Sequence, residues 1–211
     1  MHASPTCAAI VGADHSPVDE LTRALGVGAR RLTIDQLDED AADVDWDSEG
    51  VIWIHFVPAG DRLSHELDEA AALLSSARAA ARAGARAGAP VTFLALMPSH
   101  GLLSGRAGLV CELARGAFDA LVRAEIGSWS ALGNRLVGVI YAGIEGHELA
   151  GQRTAEEVRL RTPMGTLGTV GHLADVIRYL GSRTAAYVTG SVIHVDGGWN
   201  AYSWIYPART I

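Results

Sequence analysis

The sequence predicts an α/β fold, a doubly wound parallel sheet with helices on both faces. Two observations carry this. Short apolar runs of strand length alternate along the chain with longer segments of helical period, the pattern of strands joined by crossover helices. The first of these runs, residues 7–12, is apolar and ends in glycine, as expected of a buried parallel strand. The length of 211 residues suits one domain with a full core, and neither a linker nor a repeat interrupts it, so a single domain over 1–211 is expected.

Residues 7–12 form the first strand, an apolar run ending in glycine. Ser16-Pro17-Val18-Asp19 then opens a helix, with serine as N-cap, proline first in the helix and aspartate in the first turn; it ends near Gly26. Residues 31–34 form the second strand and 51–57 the third. A long alanine-rich helix over 64–86 follows, its end loosened by Gly84 and Gly88. Residues 91–97 form the fourth strand, 104–126 a second long helix, and Arg135–Tyr141 the fifth strand. A short amphipathic helix over 172–181 precedes the last strand, Ser191–Val195.

The net charge of −7 argues against nucleic acid or an anionic membrane as partner. Eight carboxylates crowd residues 35–49, which reads as a solvated loop. Arg78, Arg82 and Arg86 fall at i, i+4 and i+8 and read as a solvated stripe. Cys7 and Cys111 lie far apart and suggest no disulfide framework. The eight histidines form no ligand pair, so metal catalysis is not expected. No signal peptide precedes the first strand and no apolar run is long enough to span a membrane, so a cytoplasmic location is expected.

The last third carries the most specific pattern. It reads Arg-Thr-Pro-Met-Gly-Thr-Leu-Gly from residue 161, His-Leu-Ala-Asp-Val-Ile-Arg-Tyr-Leu-Gly-Ser from 172, and Ala-Ala-Tyr-Val-Thr-Gly-Ser-Val-Ile-His-Val-Asp-Gly-Gly-Trp up to 199. These roughly forty residues, with several fixed spacings, resemble the C-terminal segment of the short-chain dehydrogenase/reductase (SDR) family. The resemblance implies a Rossmann-like sheet, an NAD(P) cofactor on a glycine-rich first turn, and carbonyl reduction by Ser, Tyr and Lys. In that chemistry Tyr gives the proton, Lys four residues later lowers the Tyr pKa, and Ser orients the substrate oxygen.

Upstream, the chain departs from the family. The family places two crossover units between its first strand and the strand before its active-site loop; only 38 residues lie between Gly12 and Val51, and one such unit takes roughly thirty or more. The fold is therefore expected to be shortened by about one strand–helix unit, one that helps form the adenosine side of the family's cofactor site. The first turn reads Gly12-Ala13-Asp14-His15. Only one glycine remains for a close approach to pyrophosphate, and Asp14 sets a negative charge against the phosphates. The third strand runs Trp53-Ile54-His55-Phe56-Val57-Pro58-Ala59-Gly60 where the family follows its strand with Asn-Ala-Gly, so bulky side chains replace the small ones that line the cofactor's sugar. No cofactor is expected, NAD(P) included.

On the helix that resembles the family's Tyr-x-x-x-Lys segment, Tyr is replaced by Cys111 and Lys by Arg115. Thirteen residues before Cys111 the family's Ser is Pro98, and Ser99 takes its place only with a one-residue shift. Arg115 cannot transfer a proton near neutrality. The family's Pro-Gly after the fifth strand is Tyr141-Ala142. The candidate pocket groups are His55, His100, Cys111, Arg115 and Tyr141. His55 reads first as a hydrogen-bonded structural histidine, and Cys111 as a small apolar filler rather than a nucleophile paired with His100.

The features tied to assembly are kept. The helices over 64–86 and 104–126 resemble those that pair subunits in the family, and residues 192–198 resemble the strand and turn of its second interface. Trp199, Tyr202, Trp204, Ile205 and Tyr206 form an aromatic tail of an interface-enriched type. The reading that follows is a non-catalytic SDR-fold subunit, a pseudo-oxidoreductase, that forms a homo- or hetero-oligomer with an active paralogue. The alternative is a cofactor-independent lyase, dehydratase, isomerase or cyclase that uses the altered pocket on a small carbonyl or acyl ligand.

Overall fold

In the computed structural model, six parallel strands form one sheet in the order β2-β1-β3-β4-β5-β6. Residues 8–11, 16–26, 29–32, 51–57, 66–99, 106–145 and 154–201 are described. The elements run β1 (Ala8–Val11), α1 (Ser16–Leu25), β2 (Ala29–Leu32), β3 (Val51–Phe56), α2 (Glu66–Ala87), β4 (Val91–Pro98), α3 (Arg106–Ala131), β5 (Arg135–Tyr141), α4 (Ala155–Arg161), α5 (Val170–Gly181), a 3-10 turn (Arg183–Ala185) and β6 (Ser191–Val195). The strand order reverses beside β1, which pairs with β2 on one side and β3 on the other. A doubly wound sheet opens a crevice at such a reversal, outside the carboxyl ends of its strands.

Alternation along the strands sorts the apolar side chains into two layers. Trp53 and Phe93 turn to one face, where they join Phe118 of α3 and Leu73 of α2. Ile54 and Leu94 turn to the other face, against Leu173 and Ile177 of α5 and Leu21 of α1. Gly138 brings α3 close to the sheet: a Cβ there would stand 3.0 Å from the ring of Phe118.

Among the described residues β2 is the one strand between β1 and β3, which agrees with a fold shortened by a strand–helix unit. The strand itself lies two residues earlier than the sequence suggests, at Ala29–Leu32 rather than 31–34. Gly84 does not loosen α2. It lies inside the helix, and a Cβ there would sit 2.5 Å from Val91 Cγ2, so glycine serves the packing of α2 on β4. Gly88, at φ +65°, is the residue that ends the helix. The third helix runs five residues past 126 because Trp129 is buried edge-on against Phe93, with ring centroids 6.2 Å apart. That packing outweighs the poor helix propensity of Gly127 and Ser128.

The element not expected is α4. Thr154 caps it, with the Thr154 hydroxyl accepting from Glu157 N and Glu157 Oε2 accepting from Thr154 N at 2.8 Å. A similar box starts α5 two residues before the expected 172. There His172 takes the place of the usual Glu, and its Nδ1 accepts the Thr169 amide at 3.0 Å. No described helix is long and apolar enough to cross a membrane.

Candidate functional site

The carboxyl ends of β4, β5 and β6 converge on two cavities. Ladder pairing sets Pro98 opposite Tyr141 and Tyr141 opposite Val195, so three chain exits leave the sheet side by side. Ser99 continues the first exit, and its amide donates to Tyr141 O at 2.8 Å. Ala142 continues the second, donating to Val195 O at 3.2 Å. The third enters the turn at 196–200, which Asp196 organises. Its Oδ1 accepts from Gly198 N at 2.9 Å, and its Oδ2 accepts from Asn200 N at 2.9 Å and Asn200 Nδ2 at 2.8 Å. Burial works to raise the Asp196 pKa; these hydrogen bonds and the nearby His194 outweigh it and hold the carboxyl below its ordinary value.

The smaller cavity, about 30 Å³, lies beneath α3 and is lined by Ser99, Cys111, Arg115, Ile140, His194 and Asn200 among others. It holds roughly two waters at most. Cys111 is buried and packs with Ala142, Val158 and Trp199. Burial, with Glu112 adding, pushes its thiol up to about 12. Arg115 sits one turn on, half-exposed, with its guanidinium 3.7 Å from Glu112 Oε1 on the outer side of the helix.

The larger cavity, about 380 Å³, opens between the ends of β5 and β6 and the loop over 162–168. Backbone bridges hold that loop on both flanks. Gly168 N donates to Gly143 O and Glu145 N to Gly168 O, each at 2.8 Å, while Met164 N donates to Gly197 O at 3.2 Å. Gly197, at φ +59°, lies so close to Thr162 that a Cβ would stand 2.5 Å from its Cγ2. Ala142, Ile144, Leu167 and Val195 supply apolar wall, and His172 and His194 supply imidazoles.

The five candidate pocket groups are thus partly dispersed. Cys111 and Arg115 share the small cavity. Tyr141 is buried in the layer of α1 and α5, and burial, with Cys111 adding, pushes its phenol above the ordinary range. His55 is 1% exposed in the middle of the sheet and lines neither cavity. The hydrogen bond expected of it is not found: neither ring nitrogen has a partner among the described residues, and burial pushes its pKa down to about 4. His100 lies outside the described residues, as do Gly12, Ala13, Asp14 and His15. Of the aromatic tail, Trp199 is buried against its own chain beside Cys111. Tyr202, Trp204, Ile205 and Tyr206 lie outside the described residues. Among the described residues, no three His, Cys, Asp or Glu side chains group as metal ligands.

Sequence reasoning missed His194, Asp196 and Asn200 as lining and support of this site. His194 borders both cavities, with Nδ1 3.6 Å from Asp196 Oδ2. The signal lay in the alternation of β6: His194 shares a face with Val192, which packs on the α2–α3 layer.

Comparison with known proteins agrees with this geometry. Residues 69–200 match the sequence profile of the enoyl-(acyl carrier protein) reductase family, a match that begins within α2 and leaves β1, β2 and β3 outside it. An L-rhamnose 1-dehydrogenase (NAD(P)(+)) of Sphingomonas sp. is 46% identical over 63 residues, 30% of this chain and 25% of its own length. A 2-(S)-hydroxypropyl-CoM dehydrogenase of Xanthobacter autotrophicus is 34% identical over 96 residues, 42% of this chain and 38% of its own length. The chain thus spans well under half the length of these curated relatives. A short-chain type dehydrogenase/reductase from Mycobacterium ulcerans superposes with a TM-score of 0.73 at 17% identity, over 94% of this chain and 91% of that one.

Proposed function

The chain belongs to the short-chain dehydrogenase/reductase family, and on that premise we propose that it is a subunit that does not carry out nicotinamide-linked hydride transfer by itself. One observation carries the reading. Where the family's proton-donating Tyr stands, Cys111 is buried beside a cavity of about 30 Å³, and its thiol is pushed up to about 12. A thiol so placed cannot be deprotonated near neutrality and has no room for a ring beside it. Arg115, in the place of Lys, reaches outward to Glu112 and gives no proton. The nicotinamide end of the ancestral site therefore fits the cofactor poorly. The resemblance of α2, α3 and β6 to the family's subunit contacts supports assembly with itself or with an active paralogue.

Calorimetric titration with NAD(H) and NADP(H) tests the first part. No binding heat is expected, and micromolar binding of either would overturn it. Co-expression with a catalytically intact family member, followed by light scattering on the purified protein, tests the second. A homo- or hetero-oligomer is expected; a monomer that captures nothing sinks it.

The rival reading, a cofactor-independent enzyme, draws on the larger cavity and on His194, which borders both spaces. It loses His55 and Tyr141, both buried in the sheet layers.

A further inference from the structure

The chain has three methionines, and the fold sets two of them in opposite surroundings. Met97 is 1% exposed near the end of β4, inside the layer of α2 and α3. Met164 is 74% exposed, although a methionine is by nature a core side chain. Met1 lies outside the described residues. The backbone of Met164 is nevertheless held. Its amide donates to Gly197 O at 3.2 Å. Its Cβ and Cγ pass along the bare side of Gly197, where an added Cβ would stand 3.7 and 3.9 Å from them. The loop over 162–168 thus presents a solvent-accessible thioether at a fixed place, and Met164 is one of the residues that line the cavity of about 380 Å³.

We propose that Met164 is a reversible oxidation site at which a hydroperoxide changes the lining of the larger cavity. In the step, a sulfur lone pair attacks the outer oxygen of the hydroperoxide and an S–O bond forms as the O–O bond breaks. The peroxide proton passes to the departing oxygen, which leaves as water or an alcohol. Sulfur loses two electrons and the peroxide gains them. Access decides which methionine reacts, so the exposed Met164 takes the oxygen and the enclosed Met97 does not. The sulfoxide is polar and chiral where the thioether was apolar and pliable. It stands on a wall shared with Ile144, Leu167 and Val195, so one apolar lining residue becomes a polar one. Methionine sulfoxide reductases reverse this lesion, which separates it from permanent damage. The inference uses neither nicotinamide binding nor assembly, so its failure and that of the reading above are separable.

The test treats the full chain with hydrogen peroxide and follows each methionine by peptide mass mapping over time. Met164 should gain one oxygen at least about tenfold faster than Met97. Amide chemical shifts of the oxidised protein give the second readout, and changes are expected at Leu167, Val195 and Gly197. Met164→Leu keeps an apolar side chain of similar volume without a sulfur. Under the same peroxide it should show none of these changes, although Met1, Met97 and both cysteines are still present. Methionine sulfoxide reductase should return the wild-type shifts to their starting positions. Met97 reacting as fast as Met164, oxidation of Met164 with the cavity shifts unmoved, the same shifts in Met164→Leu, or shifts that the reductase leaves in place would overturn the proposal.

Discussion

Ser99 Oγ donates a 2.8 Å hydrogen bond to Asn200 Oδ1 and so ties the end of β4 to the turn after β6, 101 positions away in sequence. Asn200 is itself held through its amide by Asp196. Removing the middle member leaves a hydroxyl and a carboxylate lone pair without their partner. Asn200→Ala should therefore cost about 1–3 kcal/mol, and Ser99→Ala about 1 kcal/mol, in chemical denaturation. Wild-type stability for Asn200→Ala would show that the clamp contributes nothing.

Asp196 gives this clamp a pH dependence of known sign. Its folded pKa is depressed, so its contribution is present above the unfolded value of about 4 and is lost as pH falls through the folded value. Urea midpoints measured from pH 5 downward should fall more steeply in wild type than in Asp196→Asn. Parallel curves for the two proteins would contradict this.

His55 acts in a higher window. Its folded pKa, lowered to about 4 from 6.5, means that the unfolded chain binds the extra proton between those values. Stability should fall by up to about 3 kcal/mol as pH drops from 6.5 to 4. His55→Leu removes two buried nitrogens that have no hydrogen-bond partner among the described residues, so it should raise stability at neutral pH and flatten this part of the curve. A variant less stable than wild type at pH 7 would show that the imidazole fills its space better than leucine.

Cys111 should be chemically quiet. In a Cys7→Ser background, alkylation by iodoacetamide at pH 8 should be at least about a hundredfold slower in the native protein than in the urea-unfolded chain. Cys111→Tyr should destabilise by about 1–3 kcal/mol through overpacking of a space of about 30 Å³. It should leave carbonyl reduction absent in an NADPH-consumption assay. Rapid native labelling would instead mean that the thiol meets solvent.

Gly197 carries two independent constraints, a φ of +59° and a contact that leaves no room for a Cβ against Thr162. Gly197→Ala should cost about 2 kcal/mol or more from backbone strain and crowding together. Thermal unfolding checks this, and a wild-type melting temperature would contradict it.

Much of this was legible before the structure. The apolar runs gave the central strands, because a strand covered on both faces has no choice but to be apolar, whereas β2, with Arg30 and Arg31, was placed two residues off. That Cys111 and Arg115 reach one cavity was also readable, since spacing on a helix fixes which residues share a turn. The start of α5 was not, because Thr169-x-x-His172 lies outside the usual capping alphabet and only geometry shows Nδ1 accepting the amide. The part played by Asn200 was hidden for another reason. Its partner Ser99 is remote in sequence, and no local pattern marks a contact of that range. His55 was misread on its bonding because the end of an apolar run gives no sign of whether a ring nitrogen finds a partner.

Every pairing in the sheet is parallel, from β1–β2 through β5–β6. Parallel neighbours cannot meet across a tight turn; each must wait for an intervening stretch of chain to double back. Loop closure is then the toll on every step of assembly, and refolding is expected to run in milliseconds to seconds rather than microseconds. During that interval the apolar edges of β3, β4 and β5 stand open to neighbouring chains, so the yield of folded protein should fall as concentration rises.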